Sequence, residues 1–329
     1  GALRERPLAV RVLPPPEAQE LIDLAREAMV VRSRDLDVFA CGDPADVRLV
    51  EWGGGLSFAC IGFVPARRLL LESVYGLLTL QNGVPVGYVL LSALFGSSEV
   101  AYNVFETWRG GEGAFVYGRV LATARHLFGS DSFTIYPYQL GDDNDEALQS
   151  GAWWFYQKLG FRAKDRGVLA LMRRELATMR RRPAHRSSIA TLRRLARENV
   201  YYHMGRTRDD VIGVLDLAEV GLAVTDLLAR RFGPDRAAAA RSCLREARAA
   251  LRLSGARALS GWTEGERQAL QRWAPLVLLL GAGRWPAADR RALAAVIRAK
   301  GGLRESEFVP LFDRHRRLRG GIRRLASPR

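Results

Sequence analysis

Hydrophobic and polar positions follow a helical period at the start of the chain and a strand period after it. Residues 17–31 place apolar side chains near helical spacing, and residues 67–73 predict a second helix. From Tyr75 onward the period shortens to that of strands. Asn82-Gly83 lies between two apolar runs, and this pair is a strong hairpin signal because both residues must tolerate a positive φ. The pattern therefore predicts an antiparallel meander.

A strand, a glycine-rich turn and a helix follow the meander in immediate succession, over 100–105, 109–113 and 114–127. A helix N-terminus leaves backbone N–H groups free and carries partial positive charge, which makes it suited to anions. No Gly-Lys-Ser/Thr ends the turn, so it is not a P-loop. The preceding strands also lack the βαβ order of a dinucleotide fold. The segment predicts either a phosphate-binding turn or a turn with no ligand.

The remainder of the first half continues the alternation of helices and strands. We predict a strand over 133–138, an acidic loop over 141–146 and then a helix that ends near Leu159. Gly160 stands where a helix C-cap belongs. A last strand is predicted over 168–172. A mixed α/β fold with a mixed sheet follows from this order of elements.

The second half has a different pattern. A charged run with a proline at 179–183 marks a boundary, so we predict one domain over 1–178 and a second over 179–329. No strand pattern is visible beyond the boundary. Two capping boxes predict helix starts there: Thr207 with Asp210, and Thr263 with Glu266. We therefore expect the second domain to be all-helical.

Composition narrows the class of protein. The 329 residues are 48% hydrophobic and 26% charged, which excludes a disordered or collagen-like chain and allows a large core. Apolar runs such as 276–280 fall far short of the ~20 residues that a membrane helix needs, and no export signal is visible. Cys41, Cys60 and Cys243 are widely spaced and predict neither a disulfide framework nor a zinc site. We expect a cytoplasmic protein without a membrane span.

Charge is distributed unevenly along the chain, whose net charge is +15. Residues 1–175 hold 18 basic and 21 acidic residues, whereas 176–329 hold 32 and 14. A basic half can attract an acidic protein or contact nucleic acid without sequence specificity. Only three lysines accompany 47 arginines, so a GC-rich genome and a solvated surface also explain the excess. The sequence leaves both explanations open.

The most specific motif lies over 149–162. This segment closely resembles the Asn-x-x-Ala-x-x-x-Tyr-x-x-x-Gly-Phe signature of the GNAT acyl-CoA N-acetyltransferase superfamily, with Gln149 where asparagine is usual. The four strongest places are held by Ala152, Tyr156, Gly160 and Phe161. The resemblance covers roughly residues 70–175. It implies a GNAT-like core whose mixed sheet splays open after its fourth strand, with acyl-CoA in the opening.

The resemblance also implies acetyl-CoA or CoA as a cosubstrate, with no metal. It assigns CoA contacts to Tyr102, Asn103, Val104, Trp108, Arg109, Gly110, Gly111, Glu112, Gly113, Ala114, Gln149 and Ala152. The loop departs from the family pattern because Glu112 brings a carboxylate close to two phosphates. This like-charge contact predicts weaker CoA binding unless the side chain turns away.

Catalysis in this family needs an acid for the departing thiolate and a base for the amine proton. The resemblance places Tyr156 at the usual acid position, where the alternative is a helix tyrosine that only fills space. Glu99 is the first candidate for the base, with Tyr102 and Glu106 as alternatives. The four histidines are scattered, so neither a metal cluster nor a nucleophile triad is predicted.

These features predict an acyl-CoA-dependent N-acyltransferase that acetylates a small-molecule or protein amine. Residues 35–75, including 52–55, are expected to line the acceptor pocket. The acidic loop 142–146 either attracts a cationic amine or is a plain exposed turn. The alternative is a non-catalytic GNAT-like module whose basic helical domain binds an acidic protein, an acyl carrier protein or nucleic acid.

Overall fold

The computed structural model of the chain describes residues 2–34, 36–106 and 113–327. Within these ranges the strands are β1 (Ala9–Val12), β2 (Gly42–Gly53), β3 (Leu56–Phe63), β4 (Ser73–Gln81), β5 (Val84–Leu94), β6 (Ser97–Val104), β7 (Ser132–Ile135), β8 (Arg162–Ala163) and β9 (Val200–His203). The helices of the first half are α1 (Pro15–Val30), α2 (Asp37–Ala40), α3 (Gly113–Phe128), α4 (Pro137–Leu140), α5 (Asp145–Ser150), α6 (Ala152–Lys158) and α7 (Arg166–Arg181). Those that follow are α8 (Ile189–Ala196), α9 (Leu217–Phe232), α10 (Arg236–Ala250), α11 (Glu264–Leu279), α12 (Ala287–Lys300), α13 (Phe308–Arg314) and α14 (Arg316–Leu325).

All nine strands form one sheet in the order β1-β2-β3-β4-β5-β6-β7-β9-β8. Strands β1 to β6 are an antiparallel meander, and β7 then pairs with β6 in parallel. The predicted mixed α/β fold with a mixed sheet is therefore confirmed. No helix of the described ranges is long and apolar enough to cross a membrane.

The parallel pair is short. Its register runs only from Ser97 opposite Ser132 to Glu99 opposite Thr134. Beyond Glu99, β6 continues for another five residues, to Val104, with β5 as its partner and without β7. The sheet therefore splays open along one edge of β6.

The splay follows the sixth strand, whereas the resemblance implied the fourth. The two positions differ because the sequence pattern did not reveal β2 and β3. Almost every residue of β3 is buried, so its pattern is a continuous apolar run rather than an alternation. The helix predicted over 67–73 is also wrong. Only a short 3₁₀ turn at Pro65–Arg67 is present, and β4 begins at Ser73.

The strand predicted over 168–172 is wrong, because this run belongs to α7. Asp165 caps the helix by accepting a hydrogen bond from the backbone N–H of Val168 at 2.8 Å. Val168, Leu171 and Met172 are the buried residues, and their spacing of three and four is that of a helix face. A five-residue apolar run fits the period of a helix or that of a strand, so tertiary contacts decide which of the two forms.

The prediction that residues 179–329 hold only helices is wrong at β9. This strand inserts between β7 and β8, and Thr134 lies opposite Tyr201. The predicted capping box at Thr207 is also wrong, since α9 begins later, behind the N-cap Asp216. The second predicted capping box is confirmed at the start of α11 by reciprocal hydrogen bonds between Thr263 and Glu266.

Two cores lie on opposite faces of the sheet. One is covered by α1 and α2, which bury Ile22 and Phe39. The other is covered by α3, α6 and the helices after β9 in a single continuous core. Phe95 at the end of β5 and Phe312 of α13 lie there with ring centroids 5.3 Å apart. The two predicted halves thus share one hydrophobic core.

A buried polar junction joins the sheet to the segment between α12 and α13. The Tyr75 hydroxyl donates to Asp46 Oδ2 at 2.6 Å, and the same oxygen accepts the backbone N–H of Glu305 at 3.0 Å. Lys300 Nζ donates to Glu305 Oε1 at 2.5 Å. Arg68 adds hydrogen bonds to the carbonyl oxygens of Lys300 and Gly302.

Charge balance makes this junction sensitive to the loss of one member. Asp46 and Glu305 are fully buried and Lys300 is 3% exposed. Burial raises the pKa of the Glu305 carboxyl and lowers the pKa of Lys300, while each partner opposes the shift of the other. Removing one charge leaves the other desolvated and unpaired.

We expect Lys300→Ala to lower the free energy of unfolding by about 3–5 kcal/mol, because it strands a buried carboxylate. The matched change Lys158→Ala, at an exposed lysine, should alter it by less than about 0.5 kcal/mol. Urea denaturation measures both. The double variant Lys300→Met with Glu305→Leu should recover most of the loss. Equal effects of Lys300→Ala and Lys158→Ala would contradict the role of the junction.

Candidate functional site

A cleft of about 990 Å³ opens where β6 and β7 separate. One wall comes from β3 to β6 and the other from the first turn of α3 together with α4, α5 and α6. Its lining comprises Ser33, Arg34, Leu56, Thr79, Gln81, Val86, Gly87, Tyr88, Leu90, Tyr102, Asn103, Val104, Gly113, Val116, Tyr138, Gln139, Asn144, Glu146, Ala147, Ser150, Ala152, Phe155 and Tyr156. The cleft therefore crosses the sheet at the splay.

Among the described residues, no strand pairs with the outer edge of β6 beyond Glu99, so this edge offers backbone groups to the cleft. The N–H of Phe105 donates to the carbonyl oxygen of Val86 in β5 at 3.0 Å, and the register of the two strands is regular from there. Successive residues of a strand direct their N–H and C=O groups to alternate sides. Those of Tyr102 and Val104 consequently point away from β5, into the gap left by β7.

Gly87 of β5 lines the cleft next to this edge. It lies opposite Val104 in the register of β5 and β6. A Cβ atom at this position would stand 2.4 Å from the carbonyl oxygen of Asn103, so a larger residue would displace the β6 backbone. The absence of a side chain here allows β5 and β6 to approach each other closely.

Three tyrosines pack together at the inner end of the cleft. The rings of Tyr102 and Tyr117 have centroids 5.3 Å apart, and those of Tyr117 and Tyr156 are 5.6 Å apart. Tyr156 is 3% exposed yet lines the cleft. Burial raises the pKa of the Tyr156 phenol above its usual value, with a smaller contribution from Tyr102. The phenol therefore keeps its proton at neutral pH and can act as a donor.

The structure brings several residues of the predicted cofactor set together. Tyr102, Asn103, Val104, Gly113 and Ala152 all line the cleft, as does the predicted acid Tyr156. Ala114 lies in the first turn of α3 but is not among the lining residues. Gln149 borders an adjoining cavity of about 580 Å³ with Glu106, Glu146 and Ser150. Trp108, Arg109, Gly110, Gly111 and Glu112 lie outside the described residues.

Glu99 occupies the last register position of β6 before the splay, opposite Thr134. It is not among the residues that line the cleft. Burial raises the pKa of its carboxyl from 4.5 to about 7, and the charge of Glu72 adds to the increase. Glu99 also contributes to the raised pKa of Tyr136, whose main cause is burial. Glu99 thus lies where β6 and β7 begin to separate, a position that we call the root of the cleft, and it is not part of the cleft wall.

An ion pair that the sequence did not reveal stands in the cleft. Arg34, from the segment after α1, donates to both carboxylate oxygens of Glu146 in α5, at 3.2 and 3.3 Å. Nothing in the pattern of the sequence connects these residues, which lie 112 positions apart. Glu146 belongs to the acidic loop, and its neighbour Asn144 caps α5 by accepting from the N–H of Ala147 at 3.1 Å.

The expected contribution of residues 35–75 to the pocket is largely wrong. Among the described residues of that range, Leu56 alone lines the cleft. Trp52 is instead 8% exposed, and its indole N–H donates to Thr123 of α3 at 2.9 Å. The range forms β2 and β3, so most of its side chains pack in the sheet. Within the described ranges, no group of three His, Cys, Asp or Glu side chains could hold a metal ion.

Known proteins give no independent guide to this site. Comparison of the chain with models of protein families, with curated proteins and with solved structures finds no match.

Proposed function

We propose that the chain is an acyl-CoA-dependent N-acyltransferase with a GNAT-like core, extended by the helices that follow β9. The observation that carries this proposal is the free backbone edge of Tyr102 and Val104 in the splayed sheet, beside the buried phenol of Tyr156. The motif over 149–162 supports it independently, because its tyrosine and alanine both line the cleft.

The edge of β6 suits a ligand that contains amide groups. Pantetheine carries two amides, and these can pair with the N–H and C=O groups of Tyr102 and Val104 as an added strand would. Gly113 and Val116 of α3 and Phe155 of α6 also line the cleft that this edge borders. The N-terminus of α3 also supplies the partial positive charge that favours phosphate.

The reaction joins an amine nitrogen to the acyl carbon while the carbon–sulfur bond breaks. The amine nitrogen loses a proton and the departing thiolate gains one, so the site needs both a proton acceptor and a donor. Tyr156 is the donor in our proposal, because burial keeps its phenol protonated. The backbone N–H groups of β6 supply hydrogen bonds to the thioester oxygen as its negative charge develops.

Glu99 is the proton acceptor in our proposal. A pKa of about 7 leaves a substantial fraction of its carboxyl ionised at neutral pH and makes it a better base than an ordinary glutamate. Since Glu99 lies at the root of the cleft, the proton reaches it through a water molecule rather than by direct contact.

The acceptor amine approaches from the opposite side of the sheet. Asn103 and Tyr88 are a register pair, so their side chains share the face opposite to that of Tyr102. Both residues line the cleft, together with Arg34 and Glu146. Donor and acceptor can therefore meet at the splay from different faces.

We expect acetyl-CoA to bind the full chain in a saturable manner. A ligand that binds only the folded state stabilises it by about 2.7 kcal/mol at a hundredfold excess over Kd. A thermal-shift titration with acetyl-CoA and with CoA measures this effect. No shift at millimolar ligand would contradict the proposal, whereas binding without transfer to any amine would favour a non-catalytic module.

Tyr156→Phe should lower kcat on the order of a hundredfold, because it removes only the donor hydroxyl, and should leave the Kd for CoA within about twofold. Tyr202→Phe is the matched control, since this half-buried tyrosine of β9 lies outside the cleft lining. Steady-state kinetics and calorimetry give the two quantities. A parallel loss of CoA affinity in Tyr156→Phe would instead assign the phenol to binding.

The rate should rise with pH through about 7 as Glu99 ionises, and Glu99→Gln should lower and flatten this profile. Stability provides a second readout. Because the pKa is higher in the folded state than its usual 4.5, wild type should lose stability relative to Glu99→Gln as pH rises from about 4.5 through 7. Denaturant unfolding at several pH values measures this. Parallel stability curves would contradict the raised pKa.

A further inference from the structure

The segment between β8 and β9 is an arginine-rich helical hairpin, residues 166–199, formed by α7 and α8. It contains ten arginines and two glutamates. All ten arginines are exposed: Arg166, Arg173, Arg174, Arg180, Arg181, Arg182, Arg186, Arg193, Arg194 and Arg197. Of these ten arginines, only Arg193 forms an ion pair with another described residue, namely with Asp145 at 3.3 Å. The hairpin is therefore a concentrated and largely uncompensated positive surface.

The hairpin is anchored to the wall of the cleft. The Trp154 indole N–H donates to Ser187 Oγ at 3.1 Å, which brings the tip of the hairpin against α6. Ser187 and His185 both contact the Glu175 carboxylate, at 2.6 and 3.1 Å, so the tip is held back onto α7. Trp154 stands two residues after Ala152, which lines the cleft. The arginines at 180–182 and 186 flank this anchored tip along the chain.

The extent of this surface exceeds what one small ligand needs. α7 has 16 residues and so spans about 24 Å, with exposed arginines near both ends. A free phosphate ester would engage two or three of these side chains. An extended anionic surface on a macromolecule matches the whole length by charge complementarity.

The composition of the hairpin distinguishes between kinds of anionic partner. It contains no aromatic residue on which bases could stack, which disfavours single-stranded nucleic acid. Ile189 is its one large apolar side chain with substantial exposure, so the hairpin has no apolar face to insert into a membrane. A folded acidic protein requires neither feature.

We propose that the hairpin docks an acidic carrier protein that presents the acyl group as a thioester on a phosphopantetheine arm. The proposal rests on the proposed function, since it takes the same cleft to receive the same thioester. Docking at the tip places the carrier beside α6, from which the arm enters between β6 and α6.

The test uses the full chain and a charge-reversed tip, Arg180→Glu/Arg181→Glu/Arg182→Glu. The matched control is Arg236→Glu/Arg241→Glu/Arg257→Glu, which changes the same charge at exposed arginines on and after α10, a helix that packs against α9 and α11. The probes are an acidic acyl carrier protein without its arm, the same protein with an acetylated arm, and acetyl-CoA. Calorimetry gives each Kd at about 50 mM and about 200 mM salt.

We expect the tip variant to weaken binding of both carrier forms on the order of tenfold or more, and the control to weaken it less than about threefold. Higher salt should weaken carrier binding in wild type. Only the carrier with the acetylated arm should compete with CoA for the cleft. The Kd for acetyl-CoA should stay within about twofold in both variants.

Absence of carrier binding at low salt would overturn the proposal, as would equal losses in the tip and control variants. Tighter binding of a short DNA duplex with the same loss in the tip variant would reassign the surface to nucleic acid. The acetyl-CoA measurement tests the proposed function separately. If CoA fails to bind while the carrier binds through the tip, the cleft proposal fails and the docking surface stands as a protein contact alone.

Discussion

The short parallel pairing between β6 and β7 is the constraint on which the cleft depends. Three register pairs hold the strands together, and beyond Glu99 they separate. Because β6 keeps its pairing with β5 as far as Val104, its backbone stays in the sheet while its outer edge loses β7 as a partner. Buried N–H and C=O groups without a partner are costly, so this edge is suited to a ligand that supplies hydrogen bonds. The free edge of β6 and the cleft therefore both result from the early end of its pairing with β7.

The segments after β9 hold the start of β6, and therefore the origin of the splay. Asp313 of α13 accepts the backbone N–H of Gly96 at 2.8 Å, and Arg208 donates to the carbonyl oxygen of Phe95 at 2.7 Å. The N–H of Ile212 donates to Ser97 Oγ at 3.0 Å. These contacts fix the turn between β5 and β6 from outside the sheet. The second half is thus a support for the site as well as a carrier of positive charge.

Local pattern and tertiary structure disagreed where a short run of residues fits more than one kind of element. The apolar run at 168–172 fits a strand by length, yet its buried positions follow a helix once the rest of α7 is present. β9 is four residues long and stands among helices, so its pairing with β7 and β8 defines it. The ion pair of Arg34 with Glu146 joins residues 112 positions apart, and no periodicity carries that information.

The sequence by itself determined the mixed α/β class, the part of the meander from β4 to β6 with its Asn82-Gly83 turn, the helix that follows β6, and the motif that contributes Ala152 and Tyr156 to the cleft. These features are local, because turn chemistry, helix caps and spacing act within a few residues. Tertiary structure alone decided where the sheet splays, that β9 completes it, and that Glu99 lies at the root of the cleft. It also decided that the arginine-rich hairpin stands beside α6. Such features depend on which distant segments pack together, since burial and strand pairing are properties of the whole fold.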